Sequence, residues 1–142
     1  MKSNRRVQAD VSAQIALECV DDQGTTHHVS SLFGYDLADP FAVTVTFCTP
    51  HGDLPWTFAR DLLVRGLDGP NGDGDVHVWP SITARGRAVI LIELSSPDGH
   101  LIAQARTDEV YRFLTRTLAL VPAGTETEHF DVDGLVGQLL QA

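Results

Sequence analysis

Asp39-Pro40-Phe41-Ala42-Val43-Thr44-Val45-Thr46-Phe47-Cys48-Thr49 is the stretch that decides the fold class. Phe41, Val43, Val45 and Phe47 alternate with small or polar residues, the period of two that a half-buried strand requires. Pro40 stands at the strand start, where its missing N–H matters little. Working outward, His51-Gly52-Asp53 turns the chain back into an antiparallel partner at residues 56–58, which makes a hairpin. Upstream, Val11, Ala13, Ile15, Leu17 and Cys19 repeat the alternation, Asp21-Asp22-Gln23-Gly24 turns, and a further strand is expected at 25–30. Downstream, residues 59–65 are good helix formers that stop at Gly66, which suits a glycine C-cap, and 68–75 reads as a Gly-rich loop.

Three more strands are expected, at 75–79, 88–94 and 100–105, with the turn Ser96-Pro97-Asp98-Gly99 joining the last two. Residues 107–120 form the clearest helix: Thr107 caps it, Asp108 and Glu109 suit its positive end, and Val110, Phe113, Leu114, Thr117 and Leu118 follow helical spacing. Asp131 or Asp133 can cap a final helix that carries Leu135, Val136, Leu139 and Leu140 on one side. The fold class is therefore α+β, a mainly antiparallel sheet of about six or seven strands with two or three helices. It forms a single domain at 11–142 behind a flexible N-terminal extension at 1–10.

The chain has 142 residues, 43% of them hydrophobic, and a net charge of −9. Such a composition builds one real core and opposes binding to duplex DNA, which calls for a basic surplus. No run approaches the roughly 18 apolar residues of a spanning helix, and Lys2, Arg5 and Arg6 lead into no signal-peptide core, so a cytoplasmic location without membrane insertion is expected. Cys19 and Cys48 lack a CxxC partner and read as two buried or half-buried thiols.

Enzyme and cofactor signatures fail one by one. The six histidines are scattered; His129 with Asp131 and Asp133 is the best local metal candidate, but the same aspartates serve a helix start. Asn71, Asp73 and Asp75 begin like a calcium loop, yet Val76 occupies the position that needs glycine. Gly72-Asp73-Gly74-Asp75-Val76-His77 opens like a dinucleotide loop but leads into a strand. Ser95, Asp98 and His100 supply the residue types of a hydrolytic triad without a nucleophile elbow, and a hairpin turn explains them. No catalytic residue, metal or cofactor is expected. His77 and Trp79 differ, because they alternate with Val76 and Val78; if the valines are core, the tryptophan needs cover from outside, and a subunit interface supplies it. Leu135, Val136, Leu139 and Leu140 are a second candidate interface, with packing on their own sheet as the alternative.

Several strings together carry a resemblance: Tyr35-Asp36-Leu37-Ala38-Asp39-Pro40-Phe41-Ala42-Val43, Trp56-Thr57-Phe58-Ala59-Arg60-Asp61-Leu62-Leu63 and Gly72-Asp73-Gly74-Asp75-Val76-His77-Val78-Trp79-Pro80. They continue through Leu94-Ser95-Ser96-Pro97-Asp98-Gly99 and Val121-Pro122-Ala123-Gly124-Thr125-Glu126. Over roughly residues 11–140 the chain resembles the SsgA-like proteins, actinobacterial regulators of sporulation and cell division, and is closest in wording to the SsgB branch. The resemblance implies a non-enzymatic regulator of septum formation with a Whirly-like fold and a homotrimeric assembly. It also implies contacts with other SsgA-like proteins and with the tubulin-like division protein FtsZ at septum sites. The competing expectation is a single-stranded nucleic-acid binder, suggested by Trp79, Phe58 and the Whirly likeness and opposed by the acidic charge.

Overall fold

The computed structural model describes residues 9–129 and 132–141. In chain order they form β1 (Val11–Val20), β2 (Thr26–Asp36), β3 (Asp39–Thr49), β4 (Gly52–Ala59) and α1 (Arg60–Gly66). Then come β5 (Asn71–Asp73), β6 (Val76–Ile82), β7 (Ala88–Ser96), β8 (Gly99–Arg106), α2 (Thr107–Leu120), a 3₁₀ turn (Glu126–His129) and α3 (Val132–Gln141). Among the described residues the strands make one antiparallel sheet in the order β4-β3-β2-β1-β8-β7-β6-β5. The α+β expectation holds, but the sheet has eight strands rather than six or seven. The additional one is β5, inside the stretch read as a Gly-rich loop; Asn71, Gly72 and Asp73 have poor strand propensity, and pairing with Val78, His77 and Val76 holds them.

The sheet consists of two consecutive meanders, β1 to β4 and β5 to β8, that meet along a short seam. β1 pairs with β2 along its whole length, but with β8 only at Glu18↔Gln104, Cys19↔Ala103 and Val20↔Ile102. Away from that seam the two strands part, and α2 packs on β1, β7 and β8. The alternation in β1 buries Val11, Ile15, Leu17 and Cys19, and in β3 it buries Val43, Val45 and Phe47. Phe41 departs from its expected burial: it lies beyond the last β3–β4 pair, Ala42↔Ala59, and is exposed. From α2, Val110, Phe113 and Leu114 close the core, and the Phe113 ring meets Phe33 edge-on at 5.6 Å and 77°.

Two expected caps are absent, for reasons that lie in the packing. Arg106, the extended last residue of β8, is the N-cap of α2, so Thr107 is already helical and its hydroxyl is buried without a partner. Helix α1 runs through Gly66 to a cap at Leu67, and Gly66 has no positive φ. Its lack of a side chain serves close packing, since a Cβ would collide with Val78 Cγ1. The cysteines differ too: Cys19 is buried, whereas Cys48 is exposed because its strand position faces away from the core.

Among the described residues one charged group is fully enclosed. Arg60, the first residue of α1, is 2% exposed; its Nη1 donates to Thr117 O at 3.1 Å and its Nη2 to Glu126 Oε2 at 2.8 Å. The guanidinium lies 4.8 Å from the centroid of the Tyr35 ring, whose hydroxyl donates to Pro40 O. Glu126 Oε1 accepts the Gly124 N–H, and the hydrogen bond from Arg60 holds the Glu126 carboxyl below its ordinary range. This network ties β2, α1, the end of α2 and the 3₁₀ turn together, and so sets the point from which the chain leaves toward α3.

Candidate interaction surface

The alternation of β6 does what its sequence implies: Val76 and Val78 are buried, His77 is exposed, and Trp79 is half-buried on the opposite face. Gly72 explains how His77 is seated. A Cβ at Gly72 would run into the imidazole, so the glycine leaves room for the ring to lie across β5. Trp79 stands opposite Leu91, and Glu93 stands opposite both His77 and Ile102. Trp79, Leu91 and Ile102 are half-buried residues of this outer face, and a hollow of about 280 Å³ opens between Pro70, Gly72, His77, Trp79 and Glu93. On α3, Val136, Leu139 and Leu140 are 45%, 65% and 81% exposed, so this chain's own sheet does not cover them. The side chain of Leu135 lies outside the described residues, as does the Asp131 and Asp133 cap.

A second surface escaped the sequence reading. Where β1 meets β8, the β1–β2 turn, the β3–β4 hairpin and the β7–β8 turn surround a groove of about 580 Å³. Cys19, Val29, Phe47, Leu94 and Leu101 floor it, and Leu54 and Trp56 of the edge strand β4 form one wall. Asp21, Asp22 and Asp98 stand on its rim with His27 and His100, and no Lys or Arg lines it. Each lining residue reads in isolation as a core or a turn residue; only the ends of six strands brought together make the groove. The one available signal was Leu54, an apolar residue beside Pro55 in an edge strand, which is 61% exposed.

The rim is held by hydrogen bonds across the seam. Asp22 Oδ1 lies 2.6 Å from His100 Nδ1 and accepts the His100 backbone N–H, while His100 Nε2 lies 3.0 Å from Glu93 Oε2. A ring with a carboxylate at each nitrogen can donate to both only as an imidazolium, and the hydrogen bond it gives Asp22 raises the His100 pKa above its ordinary 6.5. Because the folded value is raised, the stabilisation is complete below the unfolded value and is lost as pH rises through the folded one. The melting temperature is therefore expected to fall as pH rises from about 6.5, the ordinary His value, and His100→Gln is expected to flatten that slope. An equal slope in both proteins, followed by circular dichroism, would contradict the bridge.

The same geometry disposes of the triad suggested by residue type. His100 and Ser95 are paired across β7 and β8, but both ring nitrogens of His100 engage Asp22 and Glu93 rather than Asp98 or Ser95. Ser96 Oγ accepts the Asp98 N–H, a turn bond. Among the described residues no three His, Cys, Asp or Glu side chains converge as a metal site. Burial pushes the Cys19 thiol up to about 11, which leaves it un-ionised and inert at neutral pH. No described helix is long and apolar enough to cross a membrane.

Comparison with known proteins points one way. Residues 29–126 match the family model described as Streptomyces sporulation and cell division protein, SsgA. The sporulation-specific cell division protein SsgB of Streptomyces coelicolor is 44% identical over 131 residues, which cover 92% of this chain and 95% of that protein. The SsgB of Kineococcus radiotolerans is 41% identical, covering 96% of this chain and 82% of that protein. A solved structure from a study of SsgB mutations and longitudinal cell division in S. coelicolor superposes with a TM-score of 0.78 at 45% identity, covering 84% of this chain and 94% of that one. An SsgA-like sporulation-specific cell division protein from Thermobifida fusca superposes with a TM-score of 0.80 at 30% identity, covering 90% and 93%.

Proposed function

The chain belongs to the SsgA family of sporulation and cell division proteins, and from that premise we propose that it is a non-enzymatic regulator that positions or promotes septum formation through protein contacts. Its relatives' names support the role in sporulation-specific cell division. The finer reading is that it assembles as a homotrimer of Whirly-like subunits, acts in the cytoplasm at septum sites, and recruits the tubulin-like division protein FtsZ or other SsgA-like proteins. The observation that carries it is the outward display of apolar side chains on α3, where Leu139 and Leu140 are 65% and 81% exposed. Apolar rows of this kind are costly in water and mark contact surfaces. Sedimentation with polymerised FtsZ tests recruitment: the protein is expected in the pellet only when polymer is present, and its staying in the supernatant would refute the contact.

Trp79 bears on the assembly. It stands opposite Leu91 on the face away from the core valines, so its indole contributes little to the subunit's own core. Trp79→Ala is expected to lower the molar mass seen by light scattering toward the 15.4 kDa of one chain, with a melting temperature close to that of the parent at equal assembly state. An unchanged mass with a lowered melting temperature would assign Trp79 to the fold instead.

A further inference from the structure

The groove at the seam combines an apolar floor with an acidic rim. Its floor is open, and its rim carries Asp21, Asp22 and Asp98 beside His27 and His100, with no Lys or Arg among the lining. Glu93 adds a carboxylate behind His100, so the local charge is negative even with that ring protonated. Two of the three rim carboxylates are held in place: Asp21 accepts the Gln23 and Thr25 N–H groups and lies 3.0 Å from His27 Nε2, and Asp22 accepts from His100. Fixed carboxylates at the mouth of an apolar hollow focus their field into it, because the low-dielectric walls screen poorly. A volume of about 580 Å³ accommodates a few large side chains.

We propose that this groove receives an exposed segment of a protein partner whose apolar anchor side chains are flanked by Lys or Arg. The inference rests on the reading of the chain as a protein-contact scaffold and names the chemistry of what it contacts. Side chains rather than added strand pairing supply the hold, since Pro55 in the edge strand β4 lacks a backbone donor. A second copy's α3 is the poorer occupant: its sequence, VDGLVGQLLQ, offers leucines but no cation to answer the rim. The apolar wall fixes which side chains enter, and the rim sets the sign of the flanks and the rate of encounter.

The test selects binders to the full chain from a random dodecapeptide phage library and counter-selects against Leu54→Glu and Asp98→Lys. Both positions are exposed, so neither variant disturbs the core. The expected outcome is a consensus of paired aliphatic or aromatic residues flanked by Lys or Arg. Its binding should weaken about tenfold in either variant and fall as salt rises. Trp56 reports the site directly: in a Trp79→Phe background it is the sole tryptophan, and the selected peptide is expected to shift its emission. A neutral or acidic consensus, no consensus, equal binding to both variants, or no change in Trp56 emission would each overturn the proposal. So would dissociation of the assembly by Leu54→Glu, which would make the groove a contact between copies. Wild-type sedimentation with FtsZ is scored separately, so failure of recruitment and failure of the groove are distinguishable.

Discussion

Replacing Arg60 with alanine is expected to cost about 3 kcal/mol, the lower end of the 3–5 kcal/mol typical for breaking an enclosed ion pair. The argument is local. Arg60 gives one hydrogen bond to Thr117 O and one to Glu126, and its side chain is 3% exposed against 19% for Glu126. Once the guanidinium is gone, Glu126 can still turn part of its carboxylate to water, so the orphaned charge costs less than it would at full burial. The carbonyl of Thr117 and the face of Tyr35 also lose their cover. For a chain of this length that loss lowers the melting temperature on the order of 10 °C. Arg60→Met combined with Glu126→Gln should recover part of it, because the charge and its desolvation leave together. A shift below about 2 °C for Arg60→Ala would show that the pair contributes nothing net.

Phe113→Ala is expected to be at least as damaging, about 3–5 kcal/mol, the usual range for truncating a buried aromatic side chain. Phe113 is 1% exposed and lies between Val110 and Leu114 on the buried face of α2, edge-on to Phe33, which is 0% exposed. Both rings belong to the same core, so the cavity cannot fill with water and can close only if α2 shifts. In a double-mutant cycle with Phe33→Ala, the ring pair should show a coupling of about 0.5–1.5 kcal/mol. Urea denaturation measures both quantities, and strictly additive losses would mean that the rings fill space without interacting.

These two sites were not equally visible in the sequence. Phe113 sits in a helical repeat with Val110, Leu114 and Thr117, and Phe33 takes its place because strand β2 runs on past residue 30, where the turn chemistry at Asp36 rather than hydropathy ends it. Alternation likewise announced the faces of β1, β3 and β6, including the outward position of Trp79. Arg60 read as an ordinary helix former, since nothing in Arg60-Asp61-Leu62 reveals that its partner stands 66 residues away. β5 was hidden because its neighbour β6 supplies the order its own composition lacks. The groove was hidden for a similar reason: its acidic turns and its apolar floor are each routine, and only the strand register brings them to one place.

The short β1–β8 seam has a mechanical consequence. With three residue pairs joining the two meanders, the sheet amounts to two leaves on a brief spine, and α2 is the splint laid across them. Arg116 of that helix donates to Ser12 O on one leaf, while the helix packs on β7 and β8 of the other. Whether the leaves melt as one body or two is thus decided by a helix that contributes no strand, and loosening it should split a single hydrogen-exchange unit into a pair.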